Sequence, residues 1–174
     1  MVRSSITAAV LLTSACVACT DPSPTSPAAA AMASSRTAPM QRGGTARALK
    51  GSCTLMFGAV PVPPPAVLHQ TDTGTCQLTH LGLTQFYGEQ DINLSAGVQS
   101  GWRTLTAANG DELYFTHTGR SMPAGPGLVS FVAQMTIVGG TGRFAGATGG
   151  GQASGIANIA TRTTVVTIDA TITY

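Results

Sequence analysis

Leu128-Val-Ser-Phe-Val-Ala-Gln-Met-Thr-Ile-Val138 decides the fold. In an extended chain successive side chains point to opposite faces. Val129, Phe131, Ala133, Met135 and Ile137 therefore share one face, and Ser130, Gln134 and Thr136 share the other. One face is oily and the other wet, as in a half-buried antiparallel strand. The end of the chain repeats the pattern, with Val166, Ile168, Ala170 and Ile172 opposite Thr167, Asp169, Thr171 and Thr173.

Working back, Trp102 to Gly119 reads as two strands meeting at Ala108-Asn109-Gly110-Asp111, where Asn-Gly suits a two-residue hairpin turn with positive φ. On the second arm Leu113, Phe115 and His117 share a face. Val67 to Thr79 and Leu83 to Leu94 form another pair around His80-Leu81-Gly82, with Phe86, Ile92 and Leu94 in phase. Cys53, Leu55 and Phe57 mark a short first strand, which Pro61 and Pro63 to Pro65 are expected to interrupt. No stretch from Gly51 onward holds a helical period over ten residues. Seven or eight strands joined by short turns suit a sandwich or a barrel, and closure would remove the unpaired edges that so sparsely charged a sheet exposes. The expectation is an all-β fold, a small closed antiparallel barrel of about eight strands preceded by a signal sequence and a disordered tether.

The glycine-rich run Val138-Gly-Gly-Thr-Gly-Arg-Phe-Ala-Gly-Ala-Thr-Gly149 is not a nucleotide loop. A Walker loop needs a Lys, and none follows Lys50; the dinucleotide fingerprint needs two residues where Gly142 and Gly146 enclose three. Gly139, Gly140, Gly142 and Gly146 instead read as a compact corner, with Phe144 packed inward and Arg143 reaching a carbonyl or carboxylate at the rim. This run resembles the Gly-Gly-Thr-Gly-(Lys/Arg)-Phe stretch of dirigent proteins and the related stretch of allene oxide cyclases. Ala107-Ala-Asn-Gly-Asp-Glu-Leu113 is similar to the central hairpin of secreted bacterial members. The resemblance implies an eight-stranded barrel whose apolar cavity takes an oxylipin or a phenolic radical, with a carboxylate and water assisting. Dimers and trimers occur in these families, so a homo-oligomer is compatible with it. None of the family carboxylates aligns with a particular residue here, and fold transfers further than activity.

At the other end, Arg3 precedes the uncharged run Ile6 to Cys19, too short to span a bilayer and right for an export signal. Its end looks like a bacterial lipobox, with Cys19 the acylated residue and Cys16 the alternative; cleavage after Ala15 or Ala18 by an ordinary secretory route competes. Thr20 to Lys50 is Ala, Ser, Thr and Pro with scattered Arg, lacks apolar periodicity and reads as a tether. The expected organisation is 1–19 signal, 20–50 tether and 51–174 barrel. Such a protein sits in the bacterial cell envelope, held to the membrane by its lipid alone, or is secreted. Cys53 and Cys76 remain, in a segment expected outside the cytoplasm where disulfides persist, so if either pairs within the chain they pair with each other. Metal ligation by Cys76 and His80 lacks further ligands at the right spacing, and neither metal nor cofactor is expected.

From Gly51 onward four arginines stand against six acidic residues, which leaves no basic patch for nucleic acid. His117 is the first catalytic candidate, a neutral lumenal base or hydroxyl partner, against the commoner reading of a satisfied histidine. Glu89 and Asp91, two apart, could share a proton, but they oppose Phe86 and Ile92 and so read as solvated if the apolar set faces inward. Trp102, Phe115 and His117 are the candidate ligand contacts. Ser154 sits one position off a nucleophile elbow and gains no support. The expected function is a lipid-anchored or secreted, non-catalytic barrel that either binds a small apolar molecule in its lumen or serves as an envelope module; the rivals are a cyclase or isomerase on an oxylipin-like or phenolic substrate, with His117 or Glu89 assisting, and a protein-interaction domain, which would need an exposed apolar patch on the outer face.

Overall fold

The structure, a computed structural model, describes residues 44–62 and 66–174. The signal segment, Cys16, Cys19 and residues 20–43 of the tether lie outside the described residues.

Eight strands follow in chain order: β1 (Ala46–Val62), β2 (Val67–Leu78), β3 (Gly82–Asn93), β4 (Val98–Ala107), β5 (Glu112–Gly125), β6 (Leu128–Gly140), β7 (Thr148–Asn158) and β8 (Thr163–Thr173). Each pairs antiparallel with the next, and β8 returns to β1, so the barrel closes without a crossover. Ala46 faces Thr173 and Met56 faces Thr163 along that last seam. Among the described residues the one helical element is a 3-10 turn, Gly142–Phe144.

Alternation fills the interior. Inward residues of β6 and β8 are those read from the sequence, with Met135, Ile137, Ile168 and Ile172 buried while Val132 and Val165 face out. One end is packed solid. Leu49, Leu78, Leu105, Leu113 and Ile172 converge there beneath Phe144, and the Tyr174 ring meets Phe144 edge-on at 5.1 Å. Burying each such side chain contributes about 1.5–3 kcal/mol.

Phe144 reaches that position because the glycine corner is locked to the β4–β5 hairpin. Gly142 holds φ +52, and a Cβ on it would lie 1.8 Å from Asp111 Oδ1. The same carboxylate accepts the Arg143 backbone N–H at 3.3 Å and meets the Arg143 Nε at 3.7 Å, while the guanidinium lies 4.6 Å over the Phe144 ring.

Three expectations are corrected. The tether does not extend to Lys50, because Ala46–Lys50 is strand with Leu49 fully buried. Arg47 and Lys50 concealed this: both are exposed, Lys50 on the outer face with Asp169 at 3.0 Å and Arg47, in phase with Leu49, at the end of the barrel, 3.2 Å from the Tyr174 hydroxyl and over its ring. The ladder is not broken at Pro61, which pairs opposite Leu68 near the end of β1, while Pro63 to Pro65 lie outside the described residues. There β1 has already run past the last partner on β8, and an edge tolerates a missing N–H. The Asn109-Gly110 connection has three residues rather than two: Ala107 N–H donates to Asp111 O at 2.9 Å, and only Gly110 takes positive φ.

Cys53 and Cys76 face each other across β1 and β2 with Cα atoms 3.9 Å apart, and they form a disulfide. The bond closes a loop with sequence separation 23, worth about 3 kcal/mol on the chain-entropy model. Its presence is compatible with a location outside the cytoplasm. Reduction with dithiothreitol is expected to lower the unfolding free energy in urea by about 3 kcal/mol, and an unchanged midpoint would show the bond to be energetically idle.

Candidate functional site

Above the packed end the lumen holds a cavity of about 470 Å³. Its walls are mostly apolar, from Phe57, Phe86, Phe115, Phe131 and Met135. On β7 the lining side chains are only Ala153 and Ala157, which take up little of the lumen. At the far end, Leu94 and Gly97 of the β3–β4 connection and Ile159 and Arg162 of the β7–β8 connection form the mouth. Leu94 and Ile159 are exposed there.

The wall also carries a buried polar cluster. Asp72 on β2, Gly88 on β3 and Arg103 on β4 lie in one row across the sheet. The carboxylate and guanidinium are two strands apart, and they meet at 2.9 Å because the residue between them has no side chain. A Cβ on Gly88 would fall 2.2 Å from Arg103 Cδ. The neighbouring row repeats the device: Gln90, Gly101 and His117 align, and His117 Nε2 meets Gln90 Oε1 at 3.1 Å across the glycine. Gly101 is thus a spacer within β4.

Hydrogen bonding fixes the roles. Asp72 accepts from Gln70 Nε2 at 2.7 Å and, more distantly, from Gln90 Nε2 at 3.4 Å. Gln90 therefore turns its oxygen to His117, and His117 carries its proton on Nε2. Its Nδ1 is left as a buried nitrogen with no hydrogen-bond partner, as is the Thr164 hydroxyl on the same cavity wall. Arg103 also donates through Nη1 to the carbonyls of Glu89 and Trp102 at 2.9 and 3.2 Å.

Burial dominates the electrostatics. It lifts the Asp72 pKa above the usual carboxylate value even though Arg103 and Gln70 pull it down, and it lowers that of Arg103 against the pull of Asp72. The His117 pKa falls from 6.5 to about 3, through burial first and the Arg103 charge second, with the Gly101 backbone as a smaller opposing effect. His117 is a neutral imidazole at pH 7.

Of the residues singled out from sequence, Phe115 and His117 line the cavity. Glu89, Asp91 and Trp102 do not. Glu89 accepts from the Tyr87 hydroxyl at 2.7 Å and lies 3.8 Å from His69 Nε2; Asp91 holds His69 Nδ1 at 2.8 Å on the outer wall. Trp102 is exposed and packs on Tyr87 with ring centroids 5.5 Å apart. The reading that parity solvates both carboxylates agrees with this placement. Asp72, Arg103, Gln90 and Thr164 were passed over. Their signal was parity: Asp72 is in phase with Leu68 and Leu78, and Arg103 with Leu105 and Ala107.

Removing one member of a buried ion pair strands the other, at about 3–5 kcal/mol, whereas replacing both by apolar groups is near neutral. Arg103→Met alone should therefore lower unfolding free energy by about that amount, and Asp72→Leu with Arg103→Met should restore most of it. A double variant as unstable as the single would show that the cost is packing.

For His117 the folded pKa lies below the unfolded one, so only the unfolded chain takes up the proton between pH 6.5 and about 3. Stability contributed by the neutral ring is full above 6.5 and declines as pH falls through that window, by about 1.4 kcal/mol per pH unit. Urea titrations should show this slope in the difference between wild type and His117→Gln; parallel curves would remove the assignment.

Against protein-family models, curated proteins and solved structures, the chain matches none.

Proposed function

We propose that this domain is a non-catalytic binding barrel of the cell envelope that holds one small, mainly apolar molecule in its lumen. The observation that carries this reading is the 470 Å³ cavity, apolar along most of its wall and polar at a few converging side chains. That is the make-up of small-molecule sites in general, and eight strands leave just enough width for one small ligand. The resemblance of Val138–Gly149 to dirigent proteins and allene oxide cyclases supports the same reading, and we assign the domain to that superfamily on it. The disulfide, the lipobox-like Cys19 and the tether support a lipid-anchored protein outside the cytoplasm.

A second reading, a cyclase or isomerase on an oxylipin-like or phenolic substrate, is favoured by His117. Its ring is buried on the cavity wall with one unpartnered nitrogen that can accept a substrate proton, although a pKa of about 3 makes it a weak base at pH 7. Turnover that vanishes in His117→Gln while binding persists would favour the enzyme.

A thermal-shift screen of fatty alcohols and acids, oxylipins and phenolics tests the binding reading. At least one class should raise the melting temperature of the wild type. Ala157→Trp, which fills the cavity near its mouth, should weaken that ligand by about tenfold or more while leaving the fold intact. No stabilisation by any class would overturn the proposal.

A further inference from the structure

We propose that the barrel selects an uncharged ligand, an apolar body carrying a hydroxyl, and turns away the carboxylate of the same length. This rests on the binding reading above and adds the charge class of the ligand.

The charges in the wall are already spent on each other. Both Asp72 oxygens are engaged, one by Gln70 and the other by Arg103 and Gln90. The guanidinium faces that carboxylate at 2.9 Å and gives its other terminal nitrogen to two backbone carbonyls. An arriving carboxylate would lose its hydration, find no free cation at the cluster and lie beside Asp72. Desolvating an ion without a partner is far costlier than desolvating a hydroxyl.

The unpartnered atoms favour a hydroxyl. With the Nε2 proton given to Gln90, His117 Nδ1 offers a lone pair and requires a donor. The Thr164 hydroxyl, also unpartnered, can donate or accept. A hydroxyl supplies both capacities, whereas a carboxylate only accepts. Among the described residues the remaining cation on the cavity lining is Arg162, at the mouth. An acid held there would need to keep its head at the rim and its tail inward, which is the arrangement the experiment must exclude.

Decanol and decanoate, matched in chain length, are titrated into the wild-type protein at pH 7.5 by calorimetry. Decanol should bind about tenfold or more tightly than decanoate. Equal or tighter binding of decanoate would overturn the charge selection while leaving the binding reading standing, and loss of that binding in Arg162→Ala would locate the head at the mouth. Failure of both to bind, with a hit from another class in the screen, would overturn the hydroxyl-bearing chain as ligand. Failure of every class would overturn both readings. Asp72→Asn frees the Arg103 charge and should reverse the preference toward decanoate; an unreversed preference in a variant with native circular dichroism would also overturn the proposal. The wild-type comparison decides the matter if that variant does not fold.

Discussion

The pairing of Ala46–Met56 with Thr163–Thr173 is the constraint on which the rest depends. Without it β1 and β8 would each present a row of unpaired amides and carbonyls on a sheet with few charges to deter association. With it, every inward side chain has a common destination. Strand number then fixes the width of the barrel, and side-chain size fixes what is left inside it. Leucines, Ile172 and Phe144 fill one end. Elsewhere the lumen stays open, with only the small Ala153 and Ala157 on its β7 wall.

The polar cluster follows from the same geometry. A strand spacing of about 4.8 Å puts residues two strands apart out of reach of short side chains. Arg103 spans the gap only because Gly88 leaves its path clear, and His117 reaches Gln90 only over Gly101. Each glycine removes packing and gives up strand propensity, and each gains a polar contact on a wall that would otherwise be uniformly oily. The pair makes a weak case for stability, since buried ions seldom outperform apolar substitutes. Its clearer effect is to set the electrical character of the lumen.

The fold was legible because alternation survives almost any substitution within a class. Met135 and Ile137, or Ile168 and Ile172, announce an inward face whatever their neighbours. The same rule placed His117 inside and Glu89 and Asp91 outside. The seam was harder to see, since Arg47 and Lys50 flank Leu49 and give β1 the look of a linker. The cluster was illegible for a different reason. Asp72 and Arg103 are 31 positions apart, and only the register of three strands shows that they meet. A lone charged residue in phase with apolar ones was the available clue, and an inward glycine in the neighbouring strand was its companion.

The seam between β1 and β8 carries one more implication. Because Ala46 stands beside Thr173, the described barrel is a ring of hairpins cut at a single place, and that seam is antiparallel like every other strand junction. A short peptide could join the two ends and new termini could be opened at the exposed Pro126-Gly127 turn, preserving the whole ladder. Circular permutation would then move the ends of the strand ladder from the sealed base of the barrel to its entrance.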